Sequence, residues 1–276
     1  MSAGRVTGAS VSLRLGEGAQ AFEALQAVSF SVEPGQFACL LGPSGCGKST
    51  LLGALAGHLR PSSGQLALDG QAIAGPAPER GMVFQQHTLL PWRTVLDNVA
   101  FGLKMQGIGR AERHARAREM LSWVGLEGFE RHWPRQLSGG MQQRAEIARV
   151  LINRPRVLLM DEPFGALDAL TRAHMQQLLL SIWQRLGTTV LFVTHDLDEA
   201  LLLGDRVLMM SARPGRLIDD IALPFARPRA EALLGDPQFM ALKRHCLALL
   251  HPDHRPLPRL TPLGLPTDFT DTKIAL

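Results

Sequence analysis

Gly42-Pro43-Ser44-Gly45-Cys46-Gly47-Lys48-Ser49-Thr50 matches the pattern G-x-x-x-x-G-K-[ST] at every fixed position. The stretch follows the apolar run 37–41 and precedes the apolar segment 51–55, which predicts a strand, a loop and a helix in succession. Glycines let successive backbone N–H groups turn towards phosphate oxygens, and the start of the helix adds partial positive charge. We therefore expect these nine residues to bind a nucleotide, with Lys48 spanning the β- and γ-phosphates and Ser49 holding Mg²⁺.

A second motif is the acidic pair Asp161-Glu162, which follows the apolar run 157–160. Such a run is typical of a strand buried in a parallel sheet, and it delivers the pair to the carboxyl edge, where ligands bind. Asp161 suits Mg²⁺ and Glu162 suits a water molecule. Standing alone, the pair could merely cap the following turn. The phosphate-binding loop alone leaves kinases, GTPases and ATPases open.

The third motif, Leu137-Ser138-Gly139-Gly140-Met141-Gln142-Gln143-Arg144, lies between the other two along the chain. It opens an amphipathic segment that Pro155 ends, so the pattern predicts a second anion site at a helix N-terminus. The alternative is a plain helix cap with a flexible lead-in.

Together the motifs resemble those of ATP-binding cassette (ABC) transporter ATPases, and the resemblance covers about residues 20–250. The family signature reads LSGGQ; here Met141 holds the fifth position and Gln142 is expected to supply the polar group. The resemblance implies that this motif binds the γ-phosphate of a partner subunit, so that a head-to-tail homodimer encloses two ATP molecules. The residues implied are Ser138, Gly139, Gly140 and Gln142.

Three more positions match the family one by one. Gln85 resembles the glutamine that senses the attacking water and Mg²⁺, Asp168 resembles the D-loop aspartate, and His195 resembles the switch histidine that reaches the γ-phosphate. Taken alone, a histidine after an apolar strand is more often only a polar strand end. The resemblance implies Glu162, His195 and Gln85 as catalytic residues, and Ser49, Gln85 and Asp161 as Mg²⁺ ligands.

The fold class expected is α/β: a P-loop NTPase core with an N-terminal antiparallel β subdomain and an inserted α-helical subdomain at about 87–154. Core strands are predicted at 157–161, 189–194 and 206–210, with an intervening helix that Gly187 ends. We expect one ATPase domain over 1–250, with a last helix near 237–250. The proline-rich tail 251–276 is predicted to be disordered.

Adenine recognition is the least determined part of the expected site. Members of the family usually stack the base on an aromatic residue, often a tyrosine, but the chain contains no tyrosine. Leu15 could give an apolar contact without ring stacking, in which case base selectivity would be low. Phe22 could supply a ring instead if the turn before it folds over the base.

Composition bears on compartment and partners. None of Cys39, Cys46 and Cys246 belongs to a C-x-x-C pair, which argues against a disulfide framework or a zinc site. Cys46, inside the phosphate-binding loop, is expected to react with thiol alkylators and to be protected by MgATP. The net charge is +4, but the basic residues are scattered, so we expect no nucleic-acid partner. No apolar window reaches the length of a membrane span and no signal-type block follows Met1, so a cytosolic, peripheral protein is expected.

By resemblance, the chain is an energy-coupling ATPase of a bacterial importer at the cytoplasmic face of the inner membrane. Its partners would be membrane permease subunits, which dock beside residues 85–92, and, indirectly, a periplasmic or extracellular solute-binding protein. The subgroup resembled is that of nitrate, sulfonate and taurine importers, with taurine or alkanesulfonates favoured and nitrate, bicarbonate or pyrimidine precursors left open. A non-transport ABC ATPase acting on nucleic acid or ribosomes, and a P-loop nucleotide kinase, are the alternatives from other classes.

Overall fold

The structure is a computed structural model that describes residues 3–229 and 231–250. The tail predicted for 251–276 lies outside the described residues. The strands are β1 (Val6–Leu15), β2 (Phe22–Val32), β3 (Phe37–Leu41), β4 (Ser63–Leu68), β5 (Gln71–Ala72), β6 (Arg80–Val83), β7 (Val157–Asp161), β8 (Thr189–Thr194), β9 (Arg206–Met210) and β10 (Leu217–Ala222). The α-helices are α1 (Lys48–Ala56), α2 (Val95–Val99), α3 (Phe101–Met105), α4 (Arg110–Trp123), α5 (Gly139–Leu151), α6 (Ala169–Leu186), α7 (Leu197–Leu203) and α8 (Pro237–Leu250).

Six strands form the central sheet in the order β10-β9-β3-β8-β7-β6, parallel except for β10. All five residues of β3 are buried, as expected for a strand covered on both faces. Leu41 pairs with Thr194, and Asp161 pairs with Val193, so β3, β8 and β7 end within about one residue of each other. The segments that follow these strands therefore leave the sheet at one edge.

The N-terminal strands form a separate antiparallel sheet in the order β2-β1-β4-β5. Helix α1 lies between the two sheets: Leu51 and Leu55 belong to one buried cluster with Val11 and Leu25 of the small sheet and Leu40 of the central sheet. A helix that is apolar on every side needs such an environment. The helix that carries the phosphate-binding loop is thus fixed from two directions.

Helices α2 to α5 occupy the stretch predicted to be helical. Their apolar faces meet in a second buried cluster that extends under the central sheet to α6 and α7. Ala145 and Ala148 of α5 are fully buried, in agreement with the face predicted from their spacing. Helix α6 ends at Gly187, whose φ of 63° is the left-handed conformation that favours glycine at a helix end.

The sequence patterns predict β3, β7, β8 and β9 but do not identify β4, β6 or β10. Strand β6 has only four residues, of mixed composition, and obtains its place from pairing with β7. Strand β10 alternates between half-buried and exposed residues because it lies at the edge of the sheet. Short or edge strands carry a weaker hydrophobic pattern than central ones.

Asn98 organises the loop that follows Gln85. Its side chain is fully buried. Its Oδ1 accepts the N–H of Leu90 at 2.7 Å, and its Nδ2 donates to the carbonyls of Leu90, Arg93 and Thr94 at 3.0 to 3.1 Å. One amide group therefore satisfies four backbone groups of the 90–94 turn.

We predict that Asn98→Ala lowers the free energy of unfolding by about 2 kcal/mol, because the side chain is fully buried and the N–H of Leu90 loses its acceptor. Asn153→Ala is the matched control, since Asn153 is only half-buried and donates to the helix-end carbonyls of Arg149 and Val150. We expect a loss below about 1 kcal/mol there. Urea denaturation of both variants measures the difference; equal losses would contradict the role of Asn98.

Candidate nucleotide site

The phosphate-binding loop connects β3 to α1 and curves around the amino group of Lys48. Nζ of Lys48 donates to the carbonyl oxygens of Gly42 at 2.7 Å and Pro43 at 2.9 Å, so the buried ammonium has polar partners. Gly47 adopts a φ of 103°, and a Cβ there would lie 2.9 Å from the carbonyl oxygen of Ala24. Only glycine fits both the dihedral angle and the space at this position.

A cavity of about 380 Å³ opens over this loop. Six of the nine residues of the phosphate-binding loop line it, together with Gln85 and Glu162. The other predicted nucleotide-binding residues do not line it: Gly42, Pro43, Cys46, Ser138, Gly139, Gly140, Gln142 and Asp168. Its lining residues are Leu15, Phe22, Ala24, Ser44, Gly45, Gly47, Lys48, Ser49, Thr50, Gln85, Glu162 and Arg213.

Ser49 and Asp161 form the oxygen-rich side of the site. The hydroxyl of Ser49 donates to Oδ1 of Asp161 at 2.9 Å, across 112 residues of sequence. Burial raises the pKa of Asp161, while the hydrogen bond from Ser49 acts in the opposite direction. Among the described residues no three His, Cys, Asp or Glu side chains cluster as a metal site. Two oxygen donors suit Mg²⁺, which takes its other ligands from water and nucleotide phosphates.

Glu162 and His195 face each other at the edge of the sheet. Nδ1 of His195 lies 3.1 Å from Oε2 of Glu162. Glu162 has a φ of 44°, which is uncommon for a residue with a side chain and is a feature of functional sites. Its backbone N–H donates to the carbonyl of Val193 at 3.0 Å, which fixes the strained turn against β8. Two of the three predicted catalytic residues, Glu162 and His195, are therefore in direct contact.

The signature motif lies outside this cavity. Ser138 is the N-cap of α5, its Oγ accepts the N–H of Met141 at 3.3 Å, and both Ser138 and Gly139 are exposed. Nε2 of Gln142 donates to the carbonyls of Pro134 and Leu137, so this amide nitrogen supports the turn before α5. Gln142 therefore has no free amide N–H to donate to a phosphate, and the expectation that it supplies the polar group of the motif is not supported by this geometry.

The D-loop aspartate, Asp168, is likewise exposed and outside the cavity. Its Oδ1 accepts the N–H of Thr171 at 3.0 Å and caps α6, and this hydrogen bond lowers the pKa of Asp168. Leu170, at the start of α6, leaves 68% of its surface exposed, an unusual position for a large apolar residue. This end of the molecule thus presents a polar cap beside an apolar side chain.

Phe22 places an aromatic ring in the wall of the cavity, so both residues considered for base recognition, Leu15 and Phe22, are at the site. Leu15 and Phe22 are cross-strand partners in the β1–β2 hairpin, and both line the cavity. The guanidinium of Arg213 lies 4.6 Å from the centre of the Phe22 ring, and its Nε donates to the carbonyl of Gly45 at 3.3 Å. Arg213 was not predicted as a site residue. Only the order of strands in the sheet, in which β9 is the neighbour of β3, brings it beside the phosphate-binding loop.

The position of Cys46 differs from what its predicted reaction with thiol alkylators requires. Its side chain is buried, with 1% exposed, and packs in the apolar cluster that contains Leu51 and Leu55. The sulfur lies 3.8 Å from Nζ of Lys48, on the inner side of the loop. Alkylation thus needs an opening of the loop, and the expected ready reaction with alkylators is not supported by this geometry.

No helix in the described ranges 3–229 and 231–250 combines the length and the apolar character that a membrane crossing requires.

The sequence model of the ABC transporter family matches residues 25–165. The chain is 52% identical over 233 residues to the taurine import ATP-binding protein TauB of Rhizobium johnstonii, covering 83% of this chain and 89% of that protein. Its identity to TauB of Burkholderia pseudomallei is 52% over 224 residues, covering 79% and 86%.

Solved structures agree with this result. The dimeric structure of MJ0796, a bacterial ABC transporter cassette, aligns with a TM-score of 0.72 and 34% identity, covering 80% of this chain and all of that one. The same cassette in a dimeric post-hydrolysis state with ADP and Pi gives a TM-score of 0.71 at the same coverage. The chain therefore belongs to the ABC transporter family and is an ABC-type ATPase.

Proposed function

We propose that the chain is the ATP-hydrolysing subunit of a bacterial importer for taurine, with other alkanesulfonates as related cargo. The observation that carries the cargo is the 52% identity to a taurine import ATP-binding protein over 83% of the chain. Nitrate, bicarbonate and pyrimidine precursors have no comparable support among the relatives described above. The nucleotide cavity supports the energy-coupling role but does not contact cargo, because solute contacts belong to the membrane permease.

The proposed reaction is in-line attack of a water molecule on the γ-phosphate of ATP. Glu162 orients or deprotonates the water, and His195, 3.1 Å away, aligns the carboxylate and reaches the γ-phosphate. Lys48 and the loop N–H groups stabilise the developing negative charge. Ser49 and Asp161, with Gln85 from the wall of the same cavity, would hold Mg²⁺, whose charge would offset the negative charge of the phosphates.

We further propose that residues 1–250 act as one ATPase domain within a head-to-tail homodimer. Ser138 and Gly139 are exposed at the start of a helix of 13 residues, and this position suits an anion supplied by another subunit. Asp168 and the exposed Leu170 would lie in the same subunit contact. The dimeric MJ0796 structures support this arrangement.

A permease is the proposed membrane partner, and the protein would sit at the cytoplasmic face of the inner membrane. The segment after Gln85 presents Trp92 with 68% of its surface exposed, and the nearby α3 presents Met105 with 62% exposed. Exposed large apolar residues mark interaction surfaces. A solute-binding protein would act on this subunit only through the permease.

Glu162→Gln tests the reaction. We predict a fall in kcat of about 10²- to 10⁴-fold, because the amide can neither accept the proton nor orient the water as a carboxylate does. Nucleotide affinity should change little, since the phosphate contacts remain. Single-turnover hydrolysis and fluorescent-ATP binding measure both quantities. Glu127→Gln, at an exposed site, is the control; wild-type hydrolysis by the Glu162 variant would remove this residue from the mechanism.

Phe22→Leu tests base recognition. Loss of ring stacking should weaken ATP binding about 2- to 10-fold and reduce the preference for ATP over GTP. Phe84→Leu is the matched control, because Phe84 is 37% exposed against 38% for Phe22 but does not line the cavity. Binding titrations with both nucleotides decide the matter. If the Phe22 variant keeps its affinity and selectivity, Leu15 rather than Phe22 is the residue that contacts the base.

Growth tests the cargo. A strain that lacks this gene should lose growth on taurine as sole sulfur source and keep growth on sulfate, because only uptake of the sulfonate is energised by this subunit. A plasmid with the wild-type gene should restore growth, while the Glu162→Gln gene should not. Normal growth of the deletion strain on taurine would reject the cargo and leave the ATPase standing.

A further inference from the structure

Glu199 is a buried carboxyl group that the proposed reaction does not use. It lies on α7, four residues after His195, with 5% of its surface exposed. Its Oε2 accepts a hydrogen bond from the hydroxyl of Thr194, and its Oε1 accepts one from Nε2 of Gln176 at 2.9 Å. Burial raises the pKa of Glu199, whereas the hydrogen bonds from Thr194 and Gln176 act in the opposite direction.

The partners of Glu199 lie on both sides of His195. Oγ1 of Thr194 also accepts the backbone N–H of Asp196 at 3.0 Å, and Oδ1 of Asp196 accepts the backbone N–H of Glu199 at 3.1 Å. The residues before and after the exposed histidine are therefore closed into one ring of hydrogen bonds. His195 itself contributes no side-chain bond to that ring.

Helix α6 holds the ring from outside. Gln176 contacts Glu199, and Arg172, one turn earlier on the same face, donates to Oδ2 of Asp196 at 3.3 Å. The same guanidinium donates to the carbonyl of Leu167 at 3.1 Å, next to Asp168. The backbone around His195 is thus attached to a rigid helix by two side chains.

We propose that Glu199 is a positioning residue for His195: through Thr194 and Asp196 it fixes the backbone from which the imidazole meets Glu162. A carboxylate can accept both bonds at once, and a displacement of about 1 Å at a reacting group can cost about 10²-fold in rate. The inference rests on the proposed catalytic roles of His195 and Glu162.

The test uses the purified full-length chain and separates kcat from KM for ATP. We expect Glu199→Ala and Thr194→Val each to lower kcat roughly 10- to 100-fold with KM changed less than about 2-fold, since the phosphate loop is untouched. Glu199→Gln should recover most of the rate, because the hydroxyl of Thr194 and the amide of Gln176 can exchange donor and acceptor roles with it. Thr194→Val keeps the side-chain shape, so it remains informative if Glu199→Ala does not fold.

Thr189→Val is the matched control. Thr189 lies at the opposite end of β8, is fully buried, and its hydroxyl donates to the carbonyl of Gly4 at 2.7 Å. We expect its kcat to stay within about 3-fold of wild type. Any of three results would overturn the inference: a similar loss of kcat in this control, a normal kcat in Thr194→Val, or no recovery of kcat in Glu199→Gln. If Glu162→Gln and His195→Ala are inactive but Thr194→Val is normal, only this inference is rejected. If Glu162→Gln and His195→Ala hydrolyse ATP at normal rates, the proposed reaction itself is rejected.

Discussion

Parallel hydrogen bonding among β3, β8 and β7 is the constraint on which the nucleotide site depends. Because these strands end in register, Gly42, His195 and Glu162 leave the sheet at the same edge although they are far apart in sequence. A slip of one residue would exchange the faces of each strand and move these groups out of contact. Burial of β3 on both faces makes such a slip costly, so packing and site geometry are determined together.

The second requirement is that charge at the site stays paired before and after nucleotide binding. Lys48 is buried, and an ammonium without polar partners would be strongly destabilising there. The carbonyls of Gly42 and Pro43 satisfy it, while α1 is held between two sheets and directs its N-terminus at the same point. The loop is therefore preorganised around a cation, which favours binding of phosphate.

The sequence predicts the structure best where one local pattern determines both a secondary-structure element and its chemistry. The apolar runs before Asp161 and His195 predicted strands with the observed bounds, and Gly187 predicted the end of α6. Contacts between distant residues are harder to predict: Arg213 meets Gly45 across 168 residues, and no local pattern contains that information. Cys46 misled for a related reason, because a loop position does not tell which way its side chain points.

Helix α6 joins the two halves of the proposed mechanism. Its N-terminus carries Asp168 and Leu170, which belong to the proposed subunit contact, and its next turns carry Arg172 and Gln176, which hold the backbone around His195. Because one continuous helix of 18 residues carries both groups, a shift of its N-terminus would also move the side chains that make those hydrogen bonds. In the proposed homodimer, association of two subunits would then be linked to the alignment of His195 with Glu162 through this one helix.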